Sequence, residues 1–163
     1  MSQCSLIQRL RQHHGLEHAT IALLSQRLPG VQLVGRSDLQ GFVVFGDVDP
    51  ATLRAAAESA LARLQAGEAE LAIHPNCGTN LVTAGALSGL AALLFGSGRR
   101  RSLWDRLPAA ILGATLALLV AHPVGRWMQA RVTTTGNVQG LHIASIVRLG
   151  DEPVPRHRVV VAD

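Results

Sequence analysis

Apolar residues are unevenly spread along the chain. Over residues 5–75 they recur at the intervals of ordinary secondary structure, whereas between Leu81 and Val124 they run almost unbroken. Leu6, Leu10, Leu16, Ile21, Leu24 and Leu28 follow near-helical spacing. They predict an amphipathic helix over Ser5–Leu28, stopped by Pro29-Gly30. Two strand-like runs follow, Val31–Val34 and Gly41–Phe45, joined by the polar turn Arg36-Ser37-Asp38. Asp49-Pro50 reads as an N-cap with proline at the first helical position. It opens an alanine-rich helix, Ala51–Gln65, which Gly67 closes. Glu70–Ile73 reads as a short strand. Gln139–Val147 alternates well enough to be another, paired with the N-terminal strands. From Asp151 on, the pattern predicts a poorly ordered end.

The apolar stretch divides into two blocks. Leu81–Phe95 contains no charged residue, and the uncharged run from Cys77 to Gly98 can cross a hydrocarbon core of ~30 Å at about 1.5 Å per residue. Leu107–Val124 is similar, with Pro108 near its start and Pro123 at its end, bracketed by Trp104 and Trp127 as in an interfacial aromatic belt. The short connection between the blocks allows only an antiparallel hairpin. The competing account is a buried helical hairpin of a soluble protein, since Gly85, Gly89 and Gly113 suit tight packing in either solvent. The fold class expected is an α+β membrane protein. Residues 1–76 form a small N-terminal α/β domain, 77–128 a transmembrane hairpin with spans at about 79–97 and 107–124, and 129–163 a C-terminal strand and tail.

Composition supports the lipid-facing account. Of 163 residues, 48% are hydrophobic and 16% charged, against roughly 25% charged in soluble domains. All 15 basic residues are arginine and Tyr is absent; with 3% aromatics, no base-stacking platform is available, so nucleic acid is not an expected partner. The lipid bilayer is. Arg99-Arg100-Arg101 with Arg106 sits between the apolar blocks as a topology signal. That cluster would place the inter-span loop in the cytoplasm. An N-terminal domain without a secretory signal pulls the termini there instead, and the expected location is a multi-pass inner-membrane protein with termini inside. Cys4 and Cys77 are the only cysteines, too few for a disulfide framework.

The run His13-His14-Gly15-Leu16-Glu17-His18 carries the most chemistry. His14, Glu17 and His18 form H-x-x-E-H, whose members share one helix face. His14 and His18 could present imidazole nitrogens to one metal ion, with Glu17 beside them to hold or deprotonate a metal-bound water, the inverted zincin arrangement. The plainer account is a polar helix face with two solvated histidines. Gly15 inside the helix costs about 1 kcal/mol against Ala, which points to close packing or backbone approach there. His74-Pro75-Asn76-Cys77 is a second ligand pair, suited to a thiophilic ion. Here the plainer account is a small buried cysteine and a loop histidine. Antiparallel geometry gathers His14, Glu17, His18, His74, Cys77 and His122 on one side of the bilayer. His122 is the weakest of them, because His-Pro at a span end serves as an interfacial stop. Nucleotide-binding glycine loops and a G-x-S-x-G are absent.

His14-Gly15-Leu16-Glu17-His18-Ala19-Thr20-Ile21 followed by His74-Pro75-Asn76-Cys77-Gly78-Thr79 resembles a motif pair of uncharacterised bacterial membrane proteins, a domain-of-unknown-function family. The pair is more distantly similar to the YqhQ-like membrane proteins. The resemblance covers about Arg11–Leu94 and implies that these residues act together. It supplies no reaction and does not extend to His13 or His122. Two functions follow as expectations. The first is a membrane-embedded zinc-dependent, peptidase-like hydrolase, with His14 and His18 as ligands, His74 or Cys77 as the third, and Glu17 as general base. A cysteine ligand fits that chemistry poorly. The second is a non-enzymatic membrane protein with a structural metal site or a hydrogen-bonded clasp.

Overall fold

The computed structural model describes residues 5–97, 102–150 and 153–163. Cys4 and the Arg99–Arg101 cluster lie outside them, as do the first two residues of the expected tail, Asp151 and Glu152. Among the described residues are four α-helices and one four-stranded antiparallel sheet, in two compact units: residues 1–74 with 130–163, and residues 75–129.

In the first unit, helix α1 spans Leu6–Arg27 and starts at Ser5, whose hydroxyl accepts from the Gln8 N–H. Helix α2 spans Pro50–Gln65 from an Asp49 cap that accepts from the Thr52 N–H, as the Asp-Pro signal predicts. Strands β1 (Val34–Asp38) and β2 (Gly41–Phe45) form a hairpin, and the sheet runs β1-β2-β4-β3, with β3 at His142–Gly150 and β4 at Arg156–Ala162. Leu16, Leu24, Leu53, Leu64, Phe42, Val44, Val159 and Val161 form one core between the two helices and the sheet.

Three local expectations are corrected. Arg36-Ser37-Asp38 is strand, not turn, because it pairs with Val43, Phe42 and Gly41 and the chain reverses one step later. Glu70–Ile73 is no strand: Ala69–Ala72 winds into a 3-10 turn closed by local bonds such as Ile73 N–H to the Glu70 carbonyl. The end of the chain is ordered, and β4 is an inner strand, pairing with β2 on one side and β3 on the other. Its alternation buries His157, Val159 and Val161. Hence residues 130–163 complete the first unit instead of standing apart as a tail. β3 reaches the N-terminal strands only through β4.

The second unit is a pair of helices, α3 (Gly78–Gly96) and α4 (Leu103–Met128). α4 runs past Pro123, the expected end of its span, and continues as a π-helical turn, Gln129–Thr133. Small residues let the two helices approach: a side chain at Gly113 would meet Phe95, and one at Gly125 would meet Asn80. Both helices are long and apolar enough to cross a membrane. No residue of α3 is buried, and in α4 only Gly113, Ala121 and Gly125 are.

Candidate metal centre

The histidines of α1 are enclosed, not solvated. His18 is 3% exposed, and His14 is half-buried. Two chain segments close over them. The turn Ala69–Ala72 supplies the Ala72 carbonyl, which accepts from His18 Nδ1 at 2.8 Å. The segment after α4 supplies the Thr133 carbonyl, which accepts from His14 Nδ1 at 3.0 Å. A carbonyl oxygen can only accept, so both rings carry their proton on Nδ1 and direct the lone pair to Nε2. A metal-ligating histidine needs this arrangement: one nitrogen donates to a fixed acceptor, which sets the tautomer and the ring's orientation.

Gly15 explains how the second segment comes so close. A Cβ there would lie well under 3.0 Å from the Thr135 carbonyl oxygen and 3.2 Å from the Ala72 Cβ. The absent side chain lets residues 133–135 lie directly on α1. Neighbouring α1 residues then hold the segment: Arg11 donates to the Arg131 and Thr134 carbonyls at 3.1 and 3.0 Å, and Gln12 to the Asn137 carbonyl at 3.0 Å. The Thr135 N–H donates back to the Arg11 carbonyl.

The rings of His14 and His18 have centroids 4.4 Å apart, and His74 stands 5.7 Å from His18. Imidazoles on one ion at metal–nitrogen lengths of about 2.0–2.1 Å have ring centres roughly 5 Å apart, so these separations suit shared ligation. The first unit thus brings three of the expected site residues together. Cys77 belongs to the second unit, where it caps α3; its Sγ accepts from the Thr79 N–H at 3.4 Å and the residue is buried.

Glu17 is turned toward the sheet. Its carboxylate accepts from the Ser37 hydroxyl of β1, and it packs so closely on Gly35 that any side chain there would overlap it. His13 also faces β1, donating from Nδ1 to the Asp38 carbonyl at 2.7 Å. Burial holds the His13 imidazole below its usual range, outweighing the Asp38 carbonyl that favours its charged form. The Ala72 and Thr133 carbonyls were not foreseeable from sequence, because every residue has one. Gly15 was the only local sign that backbone would pass there.

The family model of a domain of unknown function, DUF6391, matches residues 9–146. An uncharacterized protein of Picosynechococcus sp. is 37% identical over 139 residues, covering 77% of this chain and 65% of the relative. The chain therefore spans less than two thirds of that relative's length. No solved structure matches the chain. These findings support an uncharacterised family; the YqhQ-like likeness is not among them.

Proposed function

Because the chain belongs to the DUF6391 family, whose description leaves its activity open, we propose a role from the site itself: a two-span membrane protein with a structural zinc site. Its ligands in the first unit are His14 and His18, with His74 beside them, and Cys77, three residues after His74 in the chain, is the proposed further donor. The observation that carries this reading is the pair of Nδ1–H bonds to the Ala72 and Thr133 carbonyls. Within the first unit, His14, His18 and His74 bring three imidazoles together, a donor set that could hold one ion. Cys77 follows His74 by three residues, so its Cα lies within about 11 Å of that histidine along the chain. A mixed nitrogen–sulfur set with four donors and no open position is the pattern of structural zinc.

Glu17 favours this role over hydrolysis. A general base must reach a metal-bound water, and the Glu17 carboxylate is occupied by Ser37 and packed on Gly35. In this reading it joins α1 to β1. The membrane half rests on exposure: Leu81, Val82, Leu93, Ile111, Leu112 and Leu119 are all more than half exposed, an apolar surface that water would penalise and lipid would not.

The test is to purify the full chain in detergent and measure bound metal. Wild type and Glu17→Gln should each retain about one zinc per chain, and His14→Ala with His18→Ala should lose it. Wild type that neither copurifies with zinc nor takes it up on titration would sink the metal site. If Glu17→Gln kept its zinc but abolished turnover of a peptide or ester, the structural role would give way to the hydrolytic one. Extraction of the protein from membranes by alkaline carbonate would refute the spans.

A further inference from the structure

The apolar stripe of α1 runs on past the core it serves. Leu16 and Leu24 are buried in that core, but Leu6, Ile7 and Leu10, on the first turns of the same helix, are 68%, 72% and 41% exposed. Leu6, Leu10 and His14 follow one another at four-residue spacing and Ile7 lies beside them, so the patch continues the helix face that carries His14. The described residues of the first unit leave it open. Three large apolar side chains in adjoining positions are not the scatter of single residues that a water-facing surface carries; such a patch marks a contact site.

Chain connectivity says what the contact is with. Next to the patch, Arg11 donates to the Arg131 carbonyl at 3.1 Å and His14 to the Thr133 carbonyl at 3.0 Å. Arg131 follows Trp127 by four residues, which keeps its Cα within about 14 Å of that tryptophan, the interfacial marker at the end of the second apolar helix. The first turns of α1 are thus bonded to chain that has just left its span. That segment has the same character, since Arg131 and Val132 are both exposed. Exposed aliphatic side chains flanked by arginine suit a helix lying in the interface plane, its apolar side sunk about 5–10 Å into the boundary between headgroups and acyl chains.

We propose that the first turns of α1 are an interfacial anchor, with Leu6, Ile7 and Leu10 inserted among the lipids at the membrane face where the second span ends. The proposal rests on the membrane reading above and adds to it a lipid contact made by the first unit itself.

The test uses the full chain reconstituted in phosphatidylcholine vesicles. Trp104→Phe with Trp127→Phe removes both native tryptophans, and Ile7→Trp or Leu6→Trp then supplies a single reporter on the patch. Its emission should shift to the blue, be quenched by phosphatidylcholine brominated on the upper acyl carbons, and resist quenching by acrylamide in the water. Ala55→Trp, at an exposed position of α2, should show the opposite pattern. A patch reporter that acrylamide quenches and bromolipid does not, or equal bromolipid quenching at the patch and at Ala55→Trp, overturns the proposal. A patch reporter shielded from both quenchers overturns it too, by assigning the face to a second protein chain. Trp104→Phe alone leaves Trp127 to report on the span. If bromolipid quenches Trp127 but not the patch, only the anchor falls; if it quenches neither, the membrane reading falls with it.

Discussion

Replacing Gly15 with alanine tests the central geometric claim, because two principles predict opposite signs. On an ordinary helix the change stabilises by about 1 kcal/mol, through the helix propensity of alanine. Here the new methyl would lie well under 3.0 Å from the Thr135 carbonyl oxygen and 3.2 Å from the Ala72 Cβ. The obstacle is backbone, so no rotamer change relieves it. Either α1 or residues 133–135 must move by several tenths of an ångström. Overpacking of this kind costs typically 1–3 kcal/mol. Movement also stretches the bonds from Arg11 to Thr134, from His14 to Thr133 and from Thr135 to Arg11, each contributing about 0.5–1.5 kcal/mol. After the propensity gain is subtracted, the net loss is about 2 kcal/mol, a fall in Tm of roughly 8–16 °C for a unit of this size. Thermal unfolding followed by circular dichroism in detergent measures it, with zinc retention as a second readout that should also drop. A Gly15→Ala protein as stable as wild type, with undiminished zinc, would refute the close approach of the two segments.

Other predictions concern the sheet side of α1 and the C-terminal strand. Gly35→Ala should displace the Glu17 carboxylate and cost about 1–3 kcal/mol in urea unfolding; the proposed structural site, in which Glu17 is no ligand, predicts unchanged zinc content. His13 has a folded-state pKa below its unfolded value near 6.5, so the unfolded chain takes the proton first as pH falls. Its contribution is therefore fully present above about pH 6.5 and declines below it; Tm measured from pH 7.5 to 5 should fall, less steeply in His13→Gln. Arg158→Gln removes the partner of Asp38, whose carboxyl burial would raise but whose bonds to the Gln40 N–H and to Arg158 hold below its usual range. Since both side chains are partly exposed, the loss at neutral pH should not exceed about 1 kcal/mol. Truncation after Gly150 removes β4 and should leave the first unit open to proteolysis; a protease-resistant truncated chain would contradict its inner place in the sheet.

The sequence by itself determined what depends on near neighbours. Helical spacing of Leu6, Leu10, Leu16 and Leu24 specified α1 almost to the residue, and Asp49-Pro50 specified the start of α2, because caps and periodicity are local. The two apolar helices were equally legible, since a long uncharged run is a property of composition, although α4 outran its expected end at Pro123. His14 and His18 had to share a face once they were on a helix. Tertiary structure decided the rest. Gln139–Val147 read as a strand from its alternation, but the final residues read as a poorly ordered end because their strand partners are far away in sequence; β4 becomes an inner strand only when β2 and β3 arrive on either side. Glu17 reads as a catalytic base beside two histidines, yet the position of β1 turns it to Ser37. The tautomers of His14 and His18 depend on two carbonyls separated from α1 by 54 and 119 residues of chain. No spacing rule reaches that far, because a backbone acceptor carries no side-chain identity for a sequence to display.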